Sequence, residues 1–258
     1  MTAAATDAGA ELFARYAYAP NHLGYCGPPA GDVLRTGTAA QVRAAARRFS
    51  GAWPYLQVLS RMAGIDDPLD PRVVESYWFG GGVGERLDPR AFGAELLAVI
   101  GPQAGHYWSH LTADLLDEAA GNHAFHVLGV YPWTRLLGRG ADEHPLHVLD
   151  SCRITWATVL ALRGDEVDVR YRPLSLVGGA LRLAEPVVTR IPAVVEGYAP
   201  APGLRVDDAV ALHWGRICGR LERSRLHELR ASTVRQLERT NRRLLRVAAR
   251  SERKGRVT

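Results

Sequence analysis

At Ser151 the spacing of apolar residues changes period, and the change divides the chain. Upstream, Phe92, Leu96, Val99 and Ile100 recur at the 3–4 interval of a helix. Downstream, Val167, Val169 and Tyr171 interleave with Asp168, Arg170 and Arg172. That is the period of a strand with one buried face. Two periods in separate blocks predict an α+β fold. A single hairpin is marginal in water, whereas three or more strands sharing an apolar face can stand alone. The second block is therefore expected to form a small barrel or a strongly curled sheet.

Helix punctuation in the first block is explicit. Thr38 and Gln41 fit a capping box ahead of QVRAAARRF. Asp70-Pro71 and Asp88-Pro89 each supply an N-cap and a proline at the first helical position. Gly64 and Gly101 follow apolar segments, where a left-handed residue commonly ends a helix. Helices are predicted near 39–49, 53–63, 71–79, 90–100 and 103–119, with GGGVGE (80–85) as a flexible loop.

In the second block a strand is expected to open at Cys152, with Cys152, Ile154, Trp156, Leu160 and Leu162 on one apolar face. Gly164 in Arg163–Glu166 suits the first central position of a type II′ turn. Leu181-Arg-Leu183 reads as a short strand. Pro186, Pro192, Pro200 and Pro202 mark an excursion over 186–203. Alternation resumes from Val206 to Cys218, with Val210, Leu212 and Trp214 on one side and His213 on the other. Ser224 is placed as the cap of a final helix over 225–250, where Val234, Leu237, Asn241, Leu244 and Ala248 keep helical spacing. The expected organisation is an all-helical domain (1–145), a small β-barrel (146–222) and a basic C-terminal helix and tail (223–258).

The net charge of +5 over 258 residues is unevenly spread. Residues 216–258 hold 14 Lys/Arg against 4 Asp/Glu, a net of +10, so the remainder is net −5. Arg242, Arg243, Arg246 and Arg250 are read as a solvated face of the last helix. That helix carries no aromatic residue for base stacking, which argues against nucleic acid as a partner. Three dispersed cysteines and no CxxC pair suit a reducing compartment. The N-terminus has neither a basic nor an apolar signal region, and no apolar run nears the roughly 18 residues of a membrane span. A cytoplasmic protein without a membrane partner is expected.

Several residues could carry chemistry. His106 and His110 are spaced i,i+4; His123 and His126 are spaced i,i+3, as are His144 and His147. Such spacings place two imidazoles on one helix face, where they could share a metal. No Glu follows His106, so an HExxH zinc site is not supported. Cys152 and His213 form a second pair, a thiol and an imidazole suited to a soft metal. Asn21, Tyr25 and Cys26 lie in the tight segment before Gly27-Pro28-Pro29, where Cys26 could be a reactive thiol. Each has an ordinary structural alternative: a buried small apolar group, a hydrogen-bonded helix histidine, a packed turn. No GxSxG, P-loop or Rossmann fingerprint is present.

The second block resembles the hydrogenase-assembly chaperones of the HypC/HupF type. The resemblance rests on Cys152, Val159-Leu160, Gly164-Asp165, Val167 and Val169, then on Asp208, Val210, His213 and Gly215, with Ile217 after them. It departs in having an internal cysteine, Trp156 where those proteins carry proline, and an insertion near 184–203. RYAYAPNHLGYCGPP (15–29), WPYL (53–56) and HAFHVLGVYPWTRLL (123–137) look like an uncharacterised bacterial family that accompanies uptake hydrogenases. The resemblance implies an OB-like barrel and a non-catalytic accessory role in [NiFe]-hydrogenase maturation. The partner would be a hydrogenase large-subunit precursor or a maturation protein. Cys152, His213, Trp156 and Gly215 would be the partner- or iron-binding residues, and iron a transient cargo. The alternative is a metal-dependent enzyme whose site lies among His106, His110, His123 and His126, near Tyr25 and Cys26.

Overall fold

A computed structural model describes residues 3–29, 32–103, 111 and 113–255. His106, His110 and part of the helix expected over 103–119 lie outside the described residues. What is described of that helix is two 3₁₀ turns, Gly101–Gln103 and Ala113–Asp117.

The helices are α1 (Ala3–His22), α2 (Val33–Thr36), α3 (Ala39–Ala46), α4 (Trp53–Met62), α5 (Pro71–Phe79), α6 (Gly82–Glu85), α7 (Pro89–Ile100), α8 (His123–Phe125), α9 (Glu143–Cys152) and α10 (Arg223–Gly255). Capping explains several boundaries. Thr38 and Gln41 close a reciprocal capping box on α3. Asp70 and Asp88 accept from Arg72 N and Ala91 N at the starts of α5 and α7, each followed by proline. Gly64 is left-handed as expected, but Gly101 is helical at φ −54° because a 3₁₀ turn continues α7 directly.

Three helical features depart from expectation. Helix α1 was not foreseen: it lacks an acidic first turn and is apolar on nearly every side. Leu12, Phe13, Tyr16, Ala17, Tyr18 and Ala19 are all buried, so α1 is a central rod held by packing rather than by end signals. GGGVGE is a packed turn and the short α6, not a loose loop. Gly80 and Gly81 are left-handed, and side chains there would strike Ser232 and Glu228, so glycine lets α10 approach. The last helix begins at Arg223, two residues before the expected start.

Strands β1 (Thr155–Arg163), β2 (Glu166–Tyr171), β5 (Val187–Pro192), β6 (Ala209–His213) and β7 (Arg216–Arg220) form one antiparallel sheet in the order β5-β2-β1-β6-β7. Strands β3 (Leu174–Val177) and β4 (Ala180–Leu183) form a separate hairpin. Gly164 lies in the β1–β2 turn with φ +67°, as a type II′ turn needs. The hairpins turning at Gly164 and Gly215 are neighbours through β1 and β6. Among the described residues the ladder does not close: β5 and β7 remain edges, although they approach within 8 Å. The proline-bearing stretch holds edge strand β5 rather than an excursion, with Pro192 at the strand's end, where its missing N–H is tolerated.

The face assignment in β1 is corrected as well. Ala157 and Val159 join Val167, Val169, Ile191, Val210, Leu212 and Ile217 inside the curl, while Leu162 is exposed. A bulge between Val159 and Ala161 breaks the alternation. Ile154 and Trp156 pack instead toward the helical core, which also takes in Ala211, Cys218, Leu221 and Leu229. Trp214 is not on the Val210–Leu212 face; it lies in the β6–β7 turn with φ +51°. Cys152 does not open a strand but ends α9. No helix among the described residues is long and apolar enough to cross a membrane.

Arg243, expected on a solvated face, is buried. It pairs with buried Glu118 and donates to the Leu128 carbonyl (2.9 Å) and Thr134 Oγ1 (3.1 Å). Thr240 Oγ1 donates to the other Glu118 oxygen at 2.9 Å. Asn241 both donates to and accepts from the backbone of Leu181, docking α10 on β4. Glu118→Ala would strand a buried guanidinium, and a loss of about 3–5 kcal/mol is expected in chemical denaturation. Asp70→Ala removes a cap and should cost about 1 kcal/mol at neutral pH. The hydrogen-bonded Arg72 guanidinium holds the Asp70 carboxyl below its usual range. Its contribution is therefore present above pH ~4 and lost as pH falls through the folded value. Unfolding curves of wild type and Asp70→Ala should converge in acid.

Candidate metal centre

Three elements far apart in sequence bring His123, Cys152 and His213 together. His123 opens α8, whose start is capped by Asn122 accepting from Phe125 N. Cys152 ends α9, and His213 ends β6. One ligand atom from each lies within 4.8 Å of the others, and all three residues are buried. Tetrahedral coordination by one sulfur and two imidazoles needs separations of about 3.3–3.6 Å, given metal–ligand bonds of 2.0–2.3 Å. The cluster is thus roughly one ångström from a closed ligand set.

Hydrogen bonds fix which imidazole nitrogens carry lone pairs. The Tyr16 carbonyl can only accept, so His213 Nδ1–H donates to it at 2.7 Å. This leaves Nε2 as the ligating nitrogen, the arrangement usual for a metal-bound histidine backed by a carbonyl. His213 Nε2 is buried with no hydrogen-bond partner of good geometry among the described residues. Burial lowers the basicity of the ring, and the Tyr16 and Cys152 backbones act against it by favouring the charged form. His123 Nε2–H donates to the Cys152 carbonyl at 2.9 Å, and Tyr77 Oη donates to Nδ1 at 3.1 Å. The Tyr77 bond is the one that must yield if His123 is to ligate.

The cluster opens on a cavity of ≈ 10 Å³, also lined by Cys26, His126, Tyr77 and Tyr131. That is room for about one water or ion. His126 Nδ1 is a second buried nitrogen without a partner among the described residues. Two orphaned imidazole nitrogens in one aromatic pocket are unusual, since buried polar atoms are nearly always paired. Together with two thiols they form a donor set that fits a soft d-block cation.

Burial keeps the imidazoles neutral. It pushes His126 down to about 3 and His213 down to about 4. His123 is driven well below its ordinary value by burial, with further lowering from His213 and His126. Neutral imidazole is the ligating form. Burial raises both thiols, Cys26 up to about 11 and Cys152 further. The Trp214 side chain partly offsets this at Cys152 by favouring the thiolate.

The structure thus joins three groups that the sequence presented separately: Cys152 with His213, His123 with His126, and Cys26. Asn21 supports the Cys26 segment, donating to the Cys26 and Pro28 carbonyls at 2.8 and 2.7 Å. Tyr25 is exposed and stacks on Trp214 at 3.7 Å. Two expected residues fall elsewhere. Trp156 packs beneath the Arg230 guanidinium, 5.6 Å away, and Gly215 lines a groove of ≈ 210 Å³ that includes His147. His144 packs against Trp133. Tyr77, Tyr16 and Trp214 were not singled out as site residues; a hydroxyl on the apolar α5 face was the one available signal, for Tyr77. Tyr77→Phe releases His123 Nδ1. Apparent affinity for Zn(II), measured by chelator competition, should rise about fivefold, while stability falls by about 1 kcal/mol.

No curated protein and no solved structure matches this chain. A family profile matches residues 5–247. The chain belongs to that family, which is described as a family of unknown function (DUF6390).

Proposed function

We propose that this protein is a non-catalytic accessory protein of metal-centre assembly, holding a thiophilic metal through Cys152, His213 and His123. One observation carries the reading: a thiol and two neutral imidazoles from α9, α8 and β6 converge within 4.8 Å in a buried cavity. The metal is cargo in this reading. A cavity of ≈ 10 Å³ admits an ion and no organic substrate, which gives the metal-dependent enzyme less support.

The narrower proposal is a role in [NiFe]-hydrogenase maturation, with iron as transient cargo and a large-subunit precursor or maturation protein as client. Its support is the ordered blocks around Cys152 and His213, and the pairing of their hairpins in one curled sheet. We read that sheet as an open counterpart of the chaperones' barrel. Against it, Cys152 is buried at the end of α9 and is not a mobile terminal thiol.

Purified full-length protein is expected to bind one equivalent of Fe(II) or Zn(II), and Cys152→Ser or His213→Ala to abolish it. Elemental analysis after desalting reads the result; wild type without metal affinity removes the proposal. Co-purification with a hydrogenase large subunit, with infrared CO and CN stretches on the bound iron, tests the narrower role. Metal binding without that client would leave a metal-handling protein outside hydrogenase assembly.

A further inference from the structure

Of the twelve residues that line the cavity, ten are buried, and Cys26 and Tyr131 reach toward the surface. Cys26 stands outside the 4.8 Å set but faces the same space as its three members. His213 and His126, which carry the two unpartnered nitrogens, are among the buried residues that line that space. Of the two thiol-bearing residues in the lining, Cys26 is the one not fully buried, so a cation entering on that side would meet it first.

The segment bearing Cys26 is a short flap whose backbone is tied to Asn21 and to the Pro20 carbonyl, so that a shift of Cys26 must exchange those bonds. It is bounded by left-handed Gly24 and Gly27. A side chain at Gly27 would sit 2.4 Å from the Phe49 ring, so only glycine lets the flap seat. Tyr25 lies flat on Trp214, with 10° between the rings, and Trp214 follows His213 directly. The flap therefore rests on the residue that joins one buried ligand, His213, to the β6–β7 turn.

We infer that Cys26 is the fourth, exchangeable ligand of this centre, closing a Cys₂His₂ set around a thiophilic divalent d-block cation when the Tyr25–Cys26 flap moves inward. The inference rests on the proposed metal-binding reading. Withdrawal of the flap opens one coordination position while Cys152, His123 and His213 retain the ion. A chain that hands metal to a client needs such a position. Closure displaces one proton from the Cys26 thiol as the sulfur–metal bond forms.

Cobalt(II) titration of the full chain tests this, because the near-ultraviolet sulfur-to-cobalt absorption scales with the number of thiolate ligands. Wild type is expected to bind one equivalent, and Cys26→Ser one equivalent with the band about halved. Losing even an outer-shell partner costs ten- to a hundredfold in affinity, so Cys26→Ser should lose cobalt to a chelator roughly tenfold faster or more. Tyr25→Ala, which unstacks the flap but keeps both thiols, should speed release with the band unchanged. A Cys26→Ser band equal to wild type, with equal release, overturns the inference and leaves the three-ligand reading standing. Absence of cobalt binding by wild type overturns both.

Discussion

The hydrogen bond from His213 Nδ1 to the Tyr16 carbonyl spans 197 residues and holds two roles at once. It ties the end of β6 to the middle of α1, the central rod of the helical layer. It also consumes the N–H of the ring, so that the other nitrogen must face inward with its lone pair. His123 is oriented in the same manner by the Cys152 carbonyl. Neither ring could turn without stranding a buried donor, which would cost about 1–3 kcal/mol. The ligand geometry is thus a consequence of how the helical layer and the sheet are joined.

Desolvation sets the chemistry of the cavity. Three imidazoles in an aromatic surround cannot afford charge, and their basicity falls accordingly. The same burial raises the thiols, so each resists becoming the thiolate that a metal requires. The two effects act in opposite directions on metal capture: the nitrogens are ready at neutral pH, the sulfurs are not. Protons must leave with every sulfur–metal bond formed. A centre of this kind favours ions that bind sulfur strongly over magnesium or calcium, which prefer oxygen ligands.

Much of the fold was legible because it follows local rules. The boundaries of α3, α5 and α7 were written in Thr38-Gln41, Asp70-Pro71 and Asp88-Pro89, where caps act within four residues. Val167 and Val169 marked the inner face of β2 by simple alternation. Helix α1 escaped because a buried rod needs neither caps nor a polar stripe. The β1 faces were misread because the bulge at Val159–Ala161 shifts the pleat, and β5 was missed because the prolines around it, Pro186 just before and Pro192 at its end, sit where an edge strand tolerates them. The candidate site was half legible: Cys152, His213, His123, His126 and Cys26 each stood out by residue type. Their convergence did not, since it depends on long-range contacts that no spacing encodes. Tyr77 and Tyr16 act through a hydroxyl and a backbone carbonyl, which carry no distinguishing sequence signal.

Burial of the ligands bears on what such a centre can do. Catalysis at a metal needs an open position with space for substrate beside it. Here the surrounding space is ≈ 10 Å³, walled by Phe49, Tyr77, Trp78 and Tyr131. Retention and release need less: a tight inner set and one movable point of access. Two of the inner ligands rest on α8 and β6, which share a core with α1 and α5, and the third on α9, which packs with Val127, Leu128 and Leu237, whereas Cys26 lies in the four-residue segment from left-handed Gly24 to left-handed Gly27. On the proposed reading, the three buried residues would do the holding, and Cys26, on a short turn outside the regular elements, would be the point of handing over.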